Sequence, residues 1–364
     1  MKTLILANAF KGSLTALKAG KIIQRHTHGA ARLRLIADGG DGIIEVFFSA
    51  YPKAKIVKHR VQNAYGVYHT APAFILPGGK TAIVETAKIC GLGSIEKKDL
   101  NPLISTSYGV GEMIKLLAAK GVKNFYIGLG GVACNDGGAG MASAMGVQFL
   151  DKKNNPLPNT TAALLKLNSI NPAALNLKGL KFYALTDVTN PILGRNGSAA
   201  VFGPQKSKTK AQVAVIDKAL TNYVKIIKND LGQDIAKTPG TGAAGAIATG
   251  LLVFFNAKFI SGAEYIFEKL NIEAAIKKAQ RVIITEGRLD AQTFMGKAPG
   301  LAVKLAKKHG KEVLFICGQN KLAGYKKYGI NNVQEISAIA ANQNEAIKKA
   351  EVLLPRLLKN SPNI

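Results

Sequence analysis

Residues 127–140 read I-G-L-G-G-V-A-C-N-D-G-G-A-G and form the most informative stretch of this chain. Ile127 ends V-K-N-F-Y-I (122–127), which is typical of a buried strand, and the stretch precedes M-A-S-A-M-G-V-Q-F-L (141–150), whose apolar pattern predicts a helix. Glycines at the end of a strand expose backbone N–H groups, because no Cβ keeps an anion away. Asn135 and Asp136 add an amide and a carboxylate to the same turn. We therefore expect a phosphate-handling turn with a metal or proton role.

The segments on either side of this stretch alternate between strands and helices. At the N-terminus, K-T-L-I-L-A, S-L-T-A-L-K-A-G-K-I-I-Q and R-L-R-L-I-A predict a strand, a helix and a strand. Residues 55–87 show short alternating runs separated by turns, which predicts an antiparallel meander. Further strands are predicted at 281–285, 312–317 and 333–338.

Parallel α/β layers at both ends of the chain predict one domain made from the two ends, with a second domain inserted between them. The first is expected to be a Rossmann-like or flavodoxin-like three-layer α/β/α domain, residues 1–60 plus 265–364. The second, residues 61–264, is expected to be a mixed α/β domain that contains the antiparallel meander.

Composition and charge argue against several classes of protein. The net charge is +27 over 364 residues, but the lysines and arginines are spread along the chain with few aromatics between them, so nucleic acid is not expected as the primary partner. Three distant cysteines predict free thiols in a reducing compartment. Residues 1–9 are too short an apolar run for a signal peptide, and residues 238–257 predict a buried helix rather than a membrane span. We expect a cytoplasmic protein without a membrane partner, either monomeric or homodimeric.

The acidic residues are rare, and several of them follow predicted strands. Ligands of open α/β sheets gather outside the carboxyl ends of the strands, and Mg²⁺ prefers one or two carboxylates together with substrate phosphates. Their positions therefore predict a metal–phosphate enzyme, although Asp beside glycine is also a common turn former. These residues are Asp38, Asp41, Asp136, Asp187, Glu286 and Asp290.

Several basic and glycine-rich positions predict anion contacts. Ser13 is placed to cap the first helix, where Lys11 could reach an anion, and Gly242 lies in a glycine loop before a buried helix. If Glu286, Arg288 and Asp290 share one face of an extended strand, an arginine held between carboxylates is ready to bind a carboxylate or phosphate. Lys297 could be a second phosphate cation or a surface lysine.

A dinucleotide-binding turn at Gly128–Ala133, with Asp151 as ribose ligand, is the alternative to a metal–phosphate enzyme and would indicate an NAD-dependent dehydrogenase. Against it, the expected helix contains Gly137, Gly138 and Gly140, and Asp136 would repel a pyrophosphate. The chain contains no G-x-x-x-x-G-K-[ST] sequence, which excludes a P-loop kinase.

Taken in order, these motifs resemble the bacterial type 1 glycerate kinase family along nearly the whole chain. The resemblance implies phosphorylation of D-glycerate with ATP and Mg²⁺, on a two-domain α/β fold with the active site in the interdomain cleft. The segments that carry it are F-K-G-S (10–13), A-D-G-G-D-G (37–42), A-I-V-E-T-A (82–87), N-P-L-I-S-T-S-Y-G-V-G-E (101–112), I-G-L-G-G-V-A-C-N-D-G-G-A-G-M (127–141), D-V-T-N-P-I-L-G (187–194), V-F-G-P-Q-K (201–206), P-G-T-G-A-A-G (239–245), and E-G-R-L-D-A-Q-T with G-K-A-P (286–299).

On this hypothesis the residues divide into three groups. Asp187 is the expected base or metal contact, with Asp290 as the alternative base. Asn135 and Asp136 would position Mg²⁺ or substrate hydroxyls, with Asp136 and Asp187 as the metal ligands. Anion and substrate contacts are expected from Lys11, Ser13, Asp38, Gly130, Gly131, Gly242, Arg288 and Lys297. Arg288 is also expected to be a catalytic residue, with Asp187 and Asp290.

Asn8 and Thr285 depart from the pattern of the family. Asn8 stands where the family usually has Asp, and Thr285 stands where it usually has Gly. These departures keep a second hypothesis open, in which the chain is a divergent small hydroxy-acid kinase or a catalytically weak binding homologue.

Overall fold

The computed structural model describes residues 2–359; Met1 and residues 360–364, at the ends of the predicted first domain, lie outside the described residues. The described strands are β1 (Thr3–Ala7), β2 (Ala31–Leu35), β3 (Lys55–Gln62), β4 (Tyr68–Ile75), β5 (Thr81–Glu85), β6 (Asn124–Gly128), β7 (Gln148–Leu150), β8 (Ser169–Asn171), β9 (Lys181–Leu185), β10 (Lys258–Ile260), β11 (Arg281–Leu289), β12 (Glu312–Asn320) and β13 (Asn332–Glu335).

The helices described over the same residues are α1 (Ala16–His26), α2 (Ile43–Ala50), α3 (Thr86–Cys90), α4 (Tyr108–Ala119), α5 (Ala139–Ala144), α6 (Ser198–Phe202), α7 (Lys210–Leu231), α8 (Ala243–Phe255), α9 (Gly262–Lys269), α10 (Ile272–Lys278), α11 (Ala298–Lys308), α12 (Gln343–Lys348) and α13 (Ala350–Lys359). A short 3₁₀ helix, Ala291–Phe294, follows β11. Within residues 2–359, none of the helices has the length and apolar character needed to cross a membrane.

Contacts within the chain divide it into two compact units. The first contains the described residues up to Pro52 and from Ser261 onward, and the second is Lys53–Ile260. The junctions predicted from the sequence, after residues 60 and 264, fall eight and four residues beyond these positions.

The first unit is built on a parallel five-stranded sheet with the order β13-β12-β11-β1-β2. All five residues of β1 are buried, as expected for a strand covered by helices on both faces. Numbered along this unit alone, the strand order is 2-1-3-4-5, which is the flavodoxin-like order. The predicted α/β class of this domain is therefore confirmed, and its topological switch point lies between β1 and β11.

The second unit contains a mixed six-stranded sheet with the order β10-β9-β6-β5-β4-β3. β3, β4 and β5 pair antiparallel, which confirms the predicted meander, whereas β5, β6, β9 and β10 are parallel. The antiparallel pair β7–β8 forms a separate small sheet. The loops that follow β6 and β9 contain most of the residues that the sequence predicts for a site in this unit.

Three local predictions from the sequence are wrong. Ser13 does not cap α1, because Thr15 is the N-cap and accepts from the backbone N–H of Lys18, while the Ser13 hydroxyl donates to the Ile347 carbonyl. The helix predicted over 141–150 ends at Ala144, because Gly146 adopts φ +111°, and β7 follows it. The last predicted strand is shorter than 333–338, since residues 336–339 form a 3₁₀ turn.

Candidate active site

Asp136 is a buried carboxylate that organises the loop between β6 and α5. Its side chain accepts hydrogen bonds from the backbone N–H groups of Ser107 (2.7 Å), Gly138 (3.2 Å) and Gly140 (3.1 Å), and from the Ser107 hydroxyl (2.9 Å). Only 1% of the residue is exposed. Burial raises the pKa of Asp136, and these hydrogen bonds oppose the rise. Because both carboxylate oxygens are engaged, the arrangement favours a loop-holding role.

Lys206 is a buried cation beside Asn135, and the sequence reasoning did not single it out. Its ammonium group donates to the Cys134 carbonyl (2.9 Å) and to the Asn135 side-chain oxygen (3.2 Å). Only 2% of Lys206 is exposed, and this burial is the main cause that lowers its pKa. A buried lysine is costly unless it is hydrogen-bonded, so these two bonds fix the conformation of the loop at Asn135.

The glycine loop at the start of α8 has an unusual backbone. Ala244, Gly245 and Ala246 all have positive φ, of 53°, 62° and 62°. L-residues disfavour this region, which costs about 1–2 kcal/mol for each alanine. A Cβ on Gly245 would lie 1.9 Å from the Cys134 carbonyl oxygen. Such strain persists only where the surroundings impose it, and it is concentrated at functional sites.

The same glycine loop contacts the loop that follows β9. The Gly242 N–H donates to the Asn190 carbonyl (2.9 Å), and a Cβ on Gly242 would lie 2.3 Å from the Pro191 carbonyl oxygen. Asp187, half-buried, follows β9 in this 187–194 loop. The predicted glycine loop and the predicted Asp187 therefore lie on adjoining segments.

Gly130 and Gly131 use their carbonyl groups to hold the turn after β6. The Thr86 hydroxyl donates to the carbonyls of Gly128 (2.8 Å) and Gly130 (3.4 Å), and the Leu92 N–H donates to the Gly131 carbonyl (2.7 Å). The turn does not lead directly into a helix, since α5 starts only at Ala139. The strand–turn–helix geometry of a dinucleotide fingerprint is therefore not formed here.

The first unit contains a second group of charged residues, at the carboxyl ends of β2, β1 and β11. The Asp38 carboxylate accepts from the backbone N–H of Ala298 (2.8 Å), the first residue of α11. Burial raises the pKa of Asp38, and that hydrogen bond, Lys297 and Lys11 oppose the rise. Asp38 thus holds the start of α11 against the end of β2.

Glu286 lies at the centre of this group. The Thr293 hydroxyl donates to one carboxylate oxygen (2.8 Å), and the Lys297 ammonium lies 3.7 Å from the other. Burial raises the pKa of Glu286 to about 7; Asp38 and Asp290 add to this rise, and Thr293 and Lys297 oppose it. From the sequence, Glu286 is one of the acidic residues that follow predicted strands and a neighbour of Arg288, with no role of its own.

Arg288 is not clamped between carboxylates, contrary to the prediction from the sequence. Its guanidinium lies 3.6 Å from Asp290, and Lys297 is the cation beside Glu286. The Arg288 side chain is 60% exposed, whereas Glu286 is buried. Asp290 caps the 3₁₀ helix, accepting from the Gln292 N–H (2.9 Å).

Asn8 and Thr285, which depart from the family pattern, contact each other. The Thr285 hydroxyl donates to the Asn8 carbonyl (2.7 Å) and accepts from the Asn8 N–H (2.9 Å). This pair joins the end of β1 to β11, at the switch point of the sheet. Lys11 is exposed four residues after β1. Thr285 therefore adds a link at this point that a glycine could not make.

The carboxylates of the described residues do not form a complete metal-binding site by themselves. Over residues 2–359, no group of three or more His, Cys, Asp or Glu side chains is arranged to hold a metal ion. Mg²⁺ at phosphoryl-transfer sites is commonly held by one or two carboxylates together with the substrate phosphates.

The model of the glycerate kinase family matches residues 3–362. The chain belongs to the glycerate kinase family. It is therefore a kinase with an alcohol group as acceptor.

Two curated relatives and one solved structure illustrate the similarity. Glycerate kinase of Halalkalibacterium halodurans is 35% identical over 99% of this chain and 97% of the relative. Glycerate 2-kinase of Escherichia coli is 34% identical, over 99% and 97%. A crystal structure described as that of a glycerate kinase 2 from Salmonella typhimurium LT2 has a TM-score of 0.78 and 32% identity, and covers 99% of this chain and 97% of that one.

In this member of the glycerate kinase family, Lys206 is a candidate residue that sequence reasoning missed, and Glu286 is one that it named without assigning a role. Both lie inside motifs that carried the resemblance, E-G-R-L-D and V-F-G-P-Q-K. A charged residue at the end of an apolar strand was the available signal for Glu286. For Lys206, no local pattern distinguishes a buried lysine from the many exposed ones.

Proposed function

We propose that this chain transfers the γ-phosphoryl group of ATP to a hydroxyl group of D-glycerate. The family match over residues 3–362 is the observation that carries this proposal. Curated relatives that cover nearly the whole chain bear the name glycerate kinase, so the proposed substrate is the one in their names.

The cations of the first unit suit a substrate that is an anion. Lys297 is about one-third exposed beside Glu286, and Arg288 is largely exposed beside Asp290. An arginine fork binds a carboxylate or phosphate through two parallel hydrogen bonds, and a lysine binds it as a point charge. Together with Lys11, these residues remain the predicted contacts for the carboxylate of glycerate and for phosphates.

The loops of the second unit are the predicted phosphate contacts. The adjoining segments at Asn135, Asp187 and Gly242 follow parallel strands or open a helix, where backbone N–H groups favour anions. Lys206 adds a positive charge behind Asn135. Gly130 and Gly131 stay predicted contacts through their N–H groups, since their carbonyls already hold the turn.

Mg²⁺ is the predicted metal, and it would neutralise charge on the phosphates when bound. Asp187 is the residue that would hold it, as one carboxylate acting together with phosphates. Asp136 fits this role poorly, because its two oxygens already accept four hydrogen bonds from the protein. An aspartate as the base, Asp187 or alternatively Asp290, stays a prediction from the sequence.

The test is release of ADP from Mg-ATP in the presence of D-glycerate, measured beside L-glycerate, D-lactate and glycolate. Glycerate-dependent ADP release with turnover far above that of the other acids is the expected result. Preference for another hydroxy acid would indicate a divergent kinase. Tight glycerate binding without turnover would indicate a binding homologue, and NADH formation from NAD would revive the dehydrogenase.

Asp187→Asn tests the proposed role of this residue. The variant should fold normally and lose turnover at least 100-fold, because one carboxylate at the transferred phosphate contributes about that much or more. Asp217→Asn, an exposed aspartate on α7, is the matched control. An unchanged rate for Asp187→Asn would remove Asp187 from the proposed site.

A further inference from the structure

We propose that Glu286 is the general base that takes the proton from the substrate hydroxyl. The inference rests on the proposed function and names a residue for a step that the sequence assigns to an aspartate. Its basis is the position of Glu286 at the switch point of the first sheet and the two groups beside its carboxylate, Thr293 and Lys297.

The backbone next to Glu286 is closely packed at Gly287, the residue that follows it. A Cβ on Gly287 would lie 3.0 Å from the backbone nitrogen of Lys11, and a Cβ on Gly318 would lie 2.6 Å from the Gly287 carbonyl oxygen. The loop after β1 and strand β12 therefore both lie close to Gly287, the residue that follows Glu286. Ligands of this type of sheet bind outside the carboxyl ends of the strands, at the switch point.

The 3₁₀ helix after β11 orients the carboxylate. Thr293 donates its hydroxyl hydrogen to Glu286, and its oxygen accepts from the Asp290 N–H (3.2 Å). Asp290 in turn caps the same helix. One oxygen of Glu286 is thus held by Thr293, and the other lies on the side of Lys297.

The groups that face Glu286 from its neighbouring elements hold it near neutrality. Thr293 and Lys297 favour its charged form, Asp38 and Asp290 disfavour it, and burial disfavours it most. On β12, the Cys317 thiol has its own pKa raised, chiefly by burial, with Glu286 as one contributing charge. With a pKa of about 7, Glu286 can accept a proton at physiological pH and release it again.

The other acids of this cluster are occupied by structural hydrogen bonds. Asp38 accepts from the N–H of Ala298 at the start of α11, and Asp290 accepts from the N–H of Gln292 in its cap. These bonds hold the start of α11 and the 3₁₀ helix that follows β11. Glu286 accepts its hydrogen bond from a side-chain hydroxyl and is the best placed of the three to exchange a proton.

The proposed transfer needs no reactant other than ATP and the hydroxy-acid substrate. The substrate oxygen forms a bond to the γ-phosphorus of ATP, and the bond from that phosphorus to the bridging oxygen of ADP breaks. The hydroxyl proton passes to the Glu286 carboxylate and is then released to water. The products are phosphoglycerate, ADP and a proton.

Glu286→Gln and two variants of Thr293 test this inference through rate and pH. Glu286→Gln should lower kcat at least 100-fold with a much smaller effect on KM, since a positioned base contributes about 10²–10⁴-fold. In the wild type, kcat/KM should rise with pH through about 7. Thr293→Val removes a hydrogen bond that lowers the Glu286 pKa, so this rise should move to higher pH, whereas Thr293→Ser should leave it in place.

Three outcomes would overturn the inference. These are a kcat within threefold of wild type for Glu286→Gln, a pH profile of Thr293→Val that coincides with that of Thr293→Ser, and loss of the neutral rise in Asp187→Asn but not in Glu286→Gln. A wild-type enzyme without glycerate-dependent ADP release would instead overturn the proposed function. The wild-type assay therefore separates the two failures.

Discussion

The raised pKa of Glu286 suits it to proton transfer but makes the folded protein less stable at high pH. Its pKa of about 7 in the folded protein lies above its ordinary value of 4.5, chiefly because burial disfavours the charged form. The folded protein therefore binds more protons than the unfolded chain between these two values. It follows that stability falls as pH rises through this window.

Glu286→Gln should remove this dependence on pH. The glutamine keeps the shape of the side chain without the buried charge, so the variant should be more stable than the wild type at pH 8, on the order of 1–3 kcal/mol. The difference should vanish near pH 4, where the carboxyl is protonated in both states. Denaturant unfolding at several pH values measures it, with the exposed Glu96→Gln as control. A constant difference from pH 4 to pH 8 would contradict this account.

Asp136 should behave as a structural residue when it is changed. Asp136→Asn replaces one oxygen by an NH₂ group that faces N–H and O–H donors, so we expect the free energy of unfolding to fall by roughly 2–4 kcal/mol. Equilibrium unfolding of this variant beside Asp217→Asn gives the comparison. If Asp136→Asn is as stable as the wild type but loses Mg²⁺-dependent turnover, the predicted metal role would be supported over the loop-holding role.

At the scale of elements, most strands could be predicted from apolar runs, because a strand that is buried between helices needs apolar side chains. β1, β11 and β12 each contain a continuous apolar run, and the short runs separated by turns in β3–β5 are typical of a meander. The helix after the glycine stretch was predicted too long, although Gly146 at φ +111° marks its end. Ser13 and Thr15 are both good caps, and only the tertiary hydrogen bond from Ser13 to Ile347 separates their roles.

The site was harder to predict than the elements, because burial of a charge depends on residues distant in sequence. Nothing within E-G-R-L-D shows that Asp38 and Lys297 approach Glu286. Likewise, the left-handed run at Ala244–Ala246 follows from contact with Cys134, more than a hundred residues earlier. The motifs located the loops, and the structure showed which side chains in them are held together.

Gly245→Ala should disrupt the loop at the start of α8. The new methyl group would lie 1.9 Å from the Cys134 carbonyl oxygen at a φ of +62°, so both crowding and backbone strain oppose it. We expect a loss of at least about 3 kcal/mol in the free energy of unfolding, or failure to fold. Gly93→Ala, where a Cβ meets nothing within 4 Å, is the matched control and should change stability by less than about 1 kcal/mol. Equal stability of the two variants would show that the loop is not constrained as described.

At the scale of the whole molecule, a net charge of +27 favours the approach of anionic substrates. Salt screens this attraction within about 10 Å at 0.1 M ionic strength. KM for ATP should therefore rise several-fold between about 0.05 and 0.5 M KCl, with a much smaller change in kcat. Sucrose of matched osmolality is the control. A KM that does not depend on salt would show that the net charge has no part in capturing the substrate.

The central claim, transfer of a phosphoryl group from ATP to glycerate, is tested most directly by ³¹P NMR of a reaction of the wild-type enzyme with Mg-ATP and D-glycerate. The account predicts that the γ-phosphorus signal is replaced by a phosphate monoester signal that couples to protons on the esterified carbon. A doublet would place the phosphate on the 2-hydroxyl, and a triplet would place it on the 3-hydroxyl. Conversion of ATP to ADP with inorganic phosphate alone, or an unchanged ATP spectrum, would contradict the claim.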